Sequence, residues 1–105
     1  MIDLIIKNAK VATASDLFIC DIGVDKEKIV FLEKNSLKEA KRIIDAKNQY
    51  VLPGGVDGHC HLDQRTKDGT EMSDNFESGS RSAAFGGTTT IMPFAIQFKG
   101  ESLRK

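Results

Sequence analysis

The only two histidines of the chain stand two residues apart, within Val56-Asp57-Gly58-His59-Cys60-His61-Leu62. Side chains on a β-strand alternate with a period of two. A strand here therefore turns both imidazoles, with Asp57 behind them, to one side, and Gly58 and Cys60 to the other. Two neutral imidazoles from one strand can share a divalent ion, with Asp57 or Asp63 orienting a ring through its second nitrogen. Zinc suits these donors, and nickel, manganese and iron are compatible with them. The plainer reading is a polar pair at a strand end. Two ligands do not make a site in either case, because zinc usually takes three or four and the chain has no third histidine. Cys60 faces away from the imidazoles and reads as buried filler, as does Cys20 in its apolar stretch. Asp63, Asp68, Glu71 and Asp74 flank the pair, and a solvated loop accounts for them. Neither glycine pair, Gly54-Gly55 or Gly86-Gly87, belongs to a phosphate-binding pattern.

The elements that must position these groups fall into two segments. From residue 1 to Pro53 the grammar is that of small antiparallel β structure. Leu4-Ile5-Ile6, a turn at Lys7-Asn8-Ala9, Lys10 to Thr13, Leu17 to Val24 and Ile29 to Leu32 alternate with short polar turns. Ser36 to Arg42 reads either as a short Ser-capped helix with Glu39 as capping-box partner or as a surface loop. Ile43 to Ala46 and Tyr50-Val51-Leu52 are further strands, and Pro53-Gly54-Gly55 stops the last. From residue 54 to 105 the order becomes strand (Val56–Leu62), polar loop (Asp63–Asp74), helix (Asn75–Phe85) and strand (Thr88–Phe94). The helix is capped by Ser73 or Asp74 and closed by Gly86-Gly87, and Lys99 to Lys105 opens another. Phe76, Ala83 and Ala84 share one helix face. This is the α/β repeat, and strand ends at the start of loops are where such folds place their chemistry. So little of a parallel sheet leaves apolar strand faces open, and the sequence reads as stopping inside an architecture.

Composition narrows the partners. The chain has 105 residues, with 15 basic against 15 acidic side chains. The balance holds in each segment, nine against eight over residues 1–53 and six against seven over 54–105. A neutral, evenly mixed surface argues against nucleic acid or an anionic membrane as an obligate partner. Two cysteines form no disulfide framework. No apolar run is long enough to span a bilayer, and the first residues do not read as a signal peptide. A cytoplasmic location is the expectation.

The run Val51-Leu52-Pro53-Gly54-Gly55-Val56-Asp57-Gly58-His59-Cys60-His61-Leu62-Asp63 resembles the first barrel strand of the cyclic amidohydrolases, the dihydropyrimidinases, hydantoinases and their relatives. Asp74 to Thr90 resembles that family's first helix and second strand, and Asp3 to Ala9 its opening β-sandwich strand. The resemblance implies part of a β-sandwich domain over 1–53 and, over 54–105, the first βα units of an incomplete (β/α)8 TIM barrel. It implies that His59 and His61 are metal ligands of a centre holding two zinc ions per subunit. A bridging carboxylated lysine, two further histidines and an aspartate would come from strands outside this sequence. The implied activity is ring opening of a small cyclic amide or ureide to an N-carbamoyl amino acid, in a homotetramer or homodimer, with this part alone inactive. Gly58 stands where many relatives carry Pro or another small residue. Gln64 and Pro93-Phe94-Ala95-Ile96-Gln97 lean towards a dihydropyrimidinase-like branch.

Two other readings compete. One is a non-catalytic dihydropyrimidinase-related scaffold, against which the retained histidine pair counts. The other is a small protein whose β segment pairs with a partner's sheet edge.

Overall fold

The computed structural model describes residues 1–104. The described residues form two compact units, divided between Pro53 and Gly54.

The first unit is a five-stranded sheet of β1 (Ile2–Ala12), β2 (Leu17–Asp25), β3 (Lys28–Glu33), β4 (Ala40–Asp45) and β5 (Tyr50–Val51). The order is β3-β2-β1-β4, with β5 also on β1. The antiparallel expectation holds for β1, β2 and β3. The last two strands depart from it, since β4 and β5 run parallel to β1 and the sheet is mixed. Its core is Ala9, Val11, Cys20, Ile22 and Ala46, with Ile6, Phe18, Val24 and Val51 packed against it.

The turn expected at Lys7-Asn8-Ala9 is instead a bulge inside one long strand. Ile6 pairs with Ile22 and Ala9 with Cys20, so β1 carries one residue more than β2 between these pairs. Asn8 takes φ 54°, a left-handed conformation that asparagine tolerates better than most residues. Its backbone N–H donates to Asp21 Oδ1 at 2.9 Å. The other oxygen of this buried carboxylate accepts from the Ser36 N–H at 2.8 Å. Ser36 caps no helix. It is buried in a loop, its carbonyl accepts from Lys7 Nζ at 3.0 Å, and β4 begins at Ala40.

The second unit is one strand–helix–strand repeat: β6 (Gly55–Cys60), α1 (Phe76–Phe85) and β7 (Thr88–Pro93), with β6 and β7 parallel. Asn75, rather than Ser73 or Asp74, caps the helix. Its side chain accepts from the Ser78 N–H at 2.9 Å, while Ser78 Oγ accepts from the Asn75 N–H at 3.1 Å, a reciprocal capping box. Asp74 supports this cap by accepting from Ser78 Oγ at 2.8 Å. Gly86 closes the helix, and Gly87, at φ +89°, turns its carbonyl to accept from the Gly55 N–H at 2.8 Å. The end of the helix is thereby joined to the start of β6.

Of the face shared by Phe76, Ala83 and Ala84, only Ala83 is half-buried. Phe76 is 52% exposed, and Gly79 is the buried residue of the helix among the described residues. Val56 and Met92 are also open, as a parallel pair lacking further strands requires. No helix is found over residues 99–104. Gly100 sits at φ +85°, and a turn brings the Glu101 N–H to the Phe98 carbonyl at 3.0 Å. Lys105, the end of the expected helix, lies outside the described residues.

Candidate metal centre

The strand carrying the histidines is shorter than its apolar pattern. It ends at Cys60, so His59 lies on β6 and His61 in the first step of the following loop. The ladder with β7 pairs Asp57 with Ile91 and Cys60 with Pro93, three steps on β6 against two on β7. That extra residue is a bulge, a device that re-aims side chains beside functional sites. The Phe94 N–H donates to the Cys60 carbonyl at 3.1 Å and continues the pairing past the strand ends.

Here the two imidazoles converge. Their Nε2 atoms are 3.3 Å apart, with ring centroids 5.3 Å apart at 63°. Phe94 braces both, lying nearly parallel to His61 (4.9 Å, 7°) and edge-on to His59 (4.6 Å, 63°). Two nitrogen ligands at about 2.0–2.1 Å from a tetrahedral ion stand about 3.3–3.4 Å from one another. The observed separation therefore fits one edge of such a coordination shell. In the absence of an ion it also suits an Nε2–H···Nε2 hydrogen bond between complementary neutral tautomers. Zinc chemistry thus fits these two residues, but the set is incomplete. Among the described residues no group of three or more His, Cys, Asp or Glu side chains is placed to hold a metal ion.

The two aspartates expected to orient the rings instead shape the main chain. Asp57 Oδ1 accepts from the backbone N–H of His59 at 3.0 Å and so fixes the main chain. Asp63 takes φ +48°, and its N–H donates to the Asp74 carbonyl at 3.1 Å, turning the chain back after Leu62. Asp63 and Glu71 line an open cleft of about 420 Å³ together with Gln64 and Arg65. Asp68 accepts from the Thr70 hydroxyl at 2.8 Å and its N–H at 3.1 Å, hydrogen bonds that hold its carboxyl below the usual aspartate range. Of the flanking carboxylates, Asp68 and Asp74 thus brace the loop and the helix cap.

The partner that the imidazole does find is Gln64, whose Oε1 lies 3.0 Å from His61 Nδ1. Neither Gln64 nor Phe94 was legible as a contact of the histidines from residue type. The usable signal was positional. Residue 64 is the first long polar side chain beyond the pair, and residue 94 directly follows β7, the strand parallel to β6.

Cys60 is half-buried and unbonded to another cysteine, and Cys20 is buried. Burial pushes the Cys20 thiol pKa up, away from nucleophilic use. An added Cβ at Gly58 would meet nothing within 4 Å, in keeping with tolerance at that position.

A mixed sheet followed by one strand–helix–strand unit is consistent with the N-terminal portion of an incomplete (β/α)8 barrel. No family model matches the chain. It is 45% identical over 101 residues to a D-hydantoinase of Geobacillus stearothermophilus, which covers 96% of the chain and 21% of that protein. It is 40% identical over 94 residues to an allantoinase of Salmonella choleraesuis, covering 90% of the chain and 20% of that protein. Among solved structures, a dihydropyrimidinase from Brevibacillus agri superposes with a TM-score of 0.84 at 46% identity, over 93% of the chain and 21% of that structure. The chain therefore corresponds to the N-terminal portion of the dihydropyrimidinase- and hydantoinase-like proteins of the amidohydrolase superfamily. It spans about a fifth of the length of the relatives it matches. Identities of 45% and 46% do not separate a hydantoinase from a dihydropyrimidinase, so the lean towards one branch gains no support. Among the described residues no helix is long and apolar enough to cross a membrane.

Proposed function

We propose that this chain supplies the first two metal ligands, His59 and His61, of a cyclic-amide hydrolase whose remaining ligands come from outside these 105 residues. The substrates would be small cyclic amides or ureides, such as a dihydropyrimidine or a hydantoin, opened to N-carbamoyl amino acids. Residues 1–53 would be part of a β-sandwich domain and residues 54–105 the start of the barrel. A homotetramer or homodimer in the cytoplasm is the assembly this reading carries with it. The observation that supports it is the 3.3 Å approach of the two Nε2 atoms at the end of β6.

Zinc bound there would polarise the ring carbonyl and lower the pKa of a coordinated water. The contribution of this chain is positional. The β6 bulge and the Asp57 carboxylate fix the backbone at His59, and Phe94 presses on both rings. The retained convergence of two metal-facing imidazoles counts against the scaffold reading, because a scaffold has no need of it.

The test is zinc content and turnover of dihydrouracil and hydantoin by the protein purified from its source, beside the His59→Ala, His61→Ala double variant. Zinc and turnover should fall together in the variant, and the 105 residues alone should turn over neither substrate. Turnover that survives in the double variant would refute the reading.

A further inference from the structure

We propose that Gln64 is a positioning residue for the imidazole pair: its side-chain carbonyl keeps the His61 proton on Nδ1 and leaves the Nε2 lone pair turned towards His59. This deepens the metal-centre reading and rests on it.

The argument begins with what each atom can do. Gln64 Oε1 lies 3.0 Å from His61 Nδ1, and an amide oxygen only accepts. A neutral imidazole that meets it must carry its single proton on Nδ1, which makes Nε2 a bare donor atom for a metal. Free histidine in water favours the opposite tautomer, so the protein has to impose this one. Metal-binding histidines usually donate their other N–H to a carboxylate, carbonyl or water. Asp57, one of the two carboxylates expected in this role, is engaged with the His59 backbone, and the atom found at His61 Nδ1 is the glutamine oxygen.

The chain holds Gln64 in place from several sides. The left-handed turn at Asp63 reverses the backbone after Leu62, and Leu62 packs on Gly79 of α1. The Gln64 N–H donates to Met72 Sδ at 3.2 Å. Its side-chain Nε2 is buried and has no partner among the described residues. Exchanging the amide's two ends would leave Oε1 unpartnered instead, so that feature does not choose an orientation. The metal requirement does. A reversed amide would donate to Nδ1, drive the imidazole proton to Nε2 and place an N–H where an ion needs a lone pair.

The experiment is long-range proton–nitrogen NMR of the histidine rings in the ¹⁵N-labelled, metal-free protein as its source makes it. It is run near pH 8, above the ordinary imidazole pKa of about 6.5. Zinc affinity by chelator competition is measured beside it, with Gln64→Leu and Gln64→Glu as variants. In the unaltered protein His61 should carry its proton on Nδ1. Gln64→Glu, which still offers an acceptor, should keep that tautomer and bind zinc at least as tightly. Gln64→Leu should move the proton towards Nε2 and weaken zinc binding by about 10- to 100-fold. A proton on Nε2 in the unaltered protein overturns the proposal without any variant having to fold, and so does a Gln64→Leu spectrum with an unchanged tautomer. The Nδ1 tautomer together with no zinc binding would overturn the metal-centre reading and leave the hold of Gln64 on the ring standing.

Discussion

Leu62 fills the space that Gly79 leaves on helix α1: a Cβ at position 79 would lie 2.4 Å from Leu62 Cδ2 and 2.8 Å from its Cδ1. The residue directly after His61 is thus seated on the helix by the absence of a side chain. Strand end, loop and helix are fixed to one another at this point.

Gly79→Ala sets two effects against each other. Alanine is favoured in a helix by about 1 kcal/mol. Overpacking a close contact costs about 1–3 kcal/mol, and Leu62 is only half-buried and able to yield. The net expectation is a small destabilisation with a displaced His61, read as altered His61 ring shifts and weaker zinc binding. Adding Leu62→Ala should relieve the clash and return the shifts towards those of the unaltered protein. A single variant that is more stable and has unchanged His61 shifts would show that this contact positions nothing.

Phe94→Ala removes the ring that contacts both histidines. Aromatic pairs of this geometry contribute about 0.5–1.5 kcal/mol beyond burial. Zinc affinity should fall by up to about tenfold. The unfolding midpoint should move little, since Phe94 is 44% exposed. Titration with a zinc-competing chelator separates these two quantities.

Asp21→Asn should be the most destabilising of these changes. The carboxylate is 4% exposed, and its two oxygens accept from the N–H groups of Asn8 and Ser36. Asparagine has one oxygen for two donors and turns its NH2 towards the other N–H. Leaving a buried donor unsatisfied costs about 1–3 kcal/mol, more where the lost acceptor was charged. Urea denaturation should show a lower midpoint for the unit that contains the β1 bulge.

Acid should weaken the same sheet through Asp3 and Asp45. The Lys41 ammonium, followed by the Lys26 N–H, lowers the Asp3 pKa from its ordinary 3.8. The Asn8 amide, followed by the Lys47 N–H, lowers that of Asp45 from the same value. A carboxyl whose folded pKa lies below its unfolded one contributes stability above the unfolded value and loses it as pH falls through the folded value. The contribution is therefore present above about pH 4 and fades below it. Both groups are exposed, so screening keeps it small. Asp3→Asn and Asp45→Asn should flatten the acid limb of the stability–pH curve, while unchanged slopes would show that these contacts carry no linkage.

Several features were readable in the amino-acid order because they depend on neighbours in sequence. The period of two along residues 57–61 placed His59 and His61 on a common side, and the structure brings their Nε2 atoms together. Gly86-Gly87 ended the helix where a left-handed glycine was needed. Asn8 is a bulge and not the expected turn, for a reason that lies outside its neighbours in sequence. Asparagine serves turns, bulges and caps alike, and which of these it forms depends on whether a distant acceptor such as Asp21 is waiting.

Tertiary structure alone decided the remainder. The direction of β4 and β5 follows from which edge of β1 is open, and no local pattern encodes that. Phe94 reaches the imidazoles because β6 and β7 are parallel and end together, 33 positions apart in sequence from His61. Gln64 reaches His61 because Asp63 adopts a left-handed turn that its residue type permits but does not require. Residue type and spacing determined which groups could bind a metal. The long-range pairings, whose free energy depends on the whole chain being in place, determined what holds those groups still.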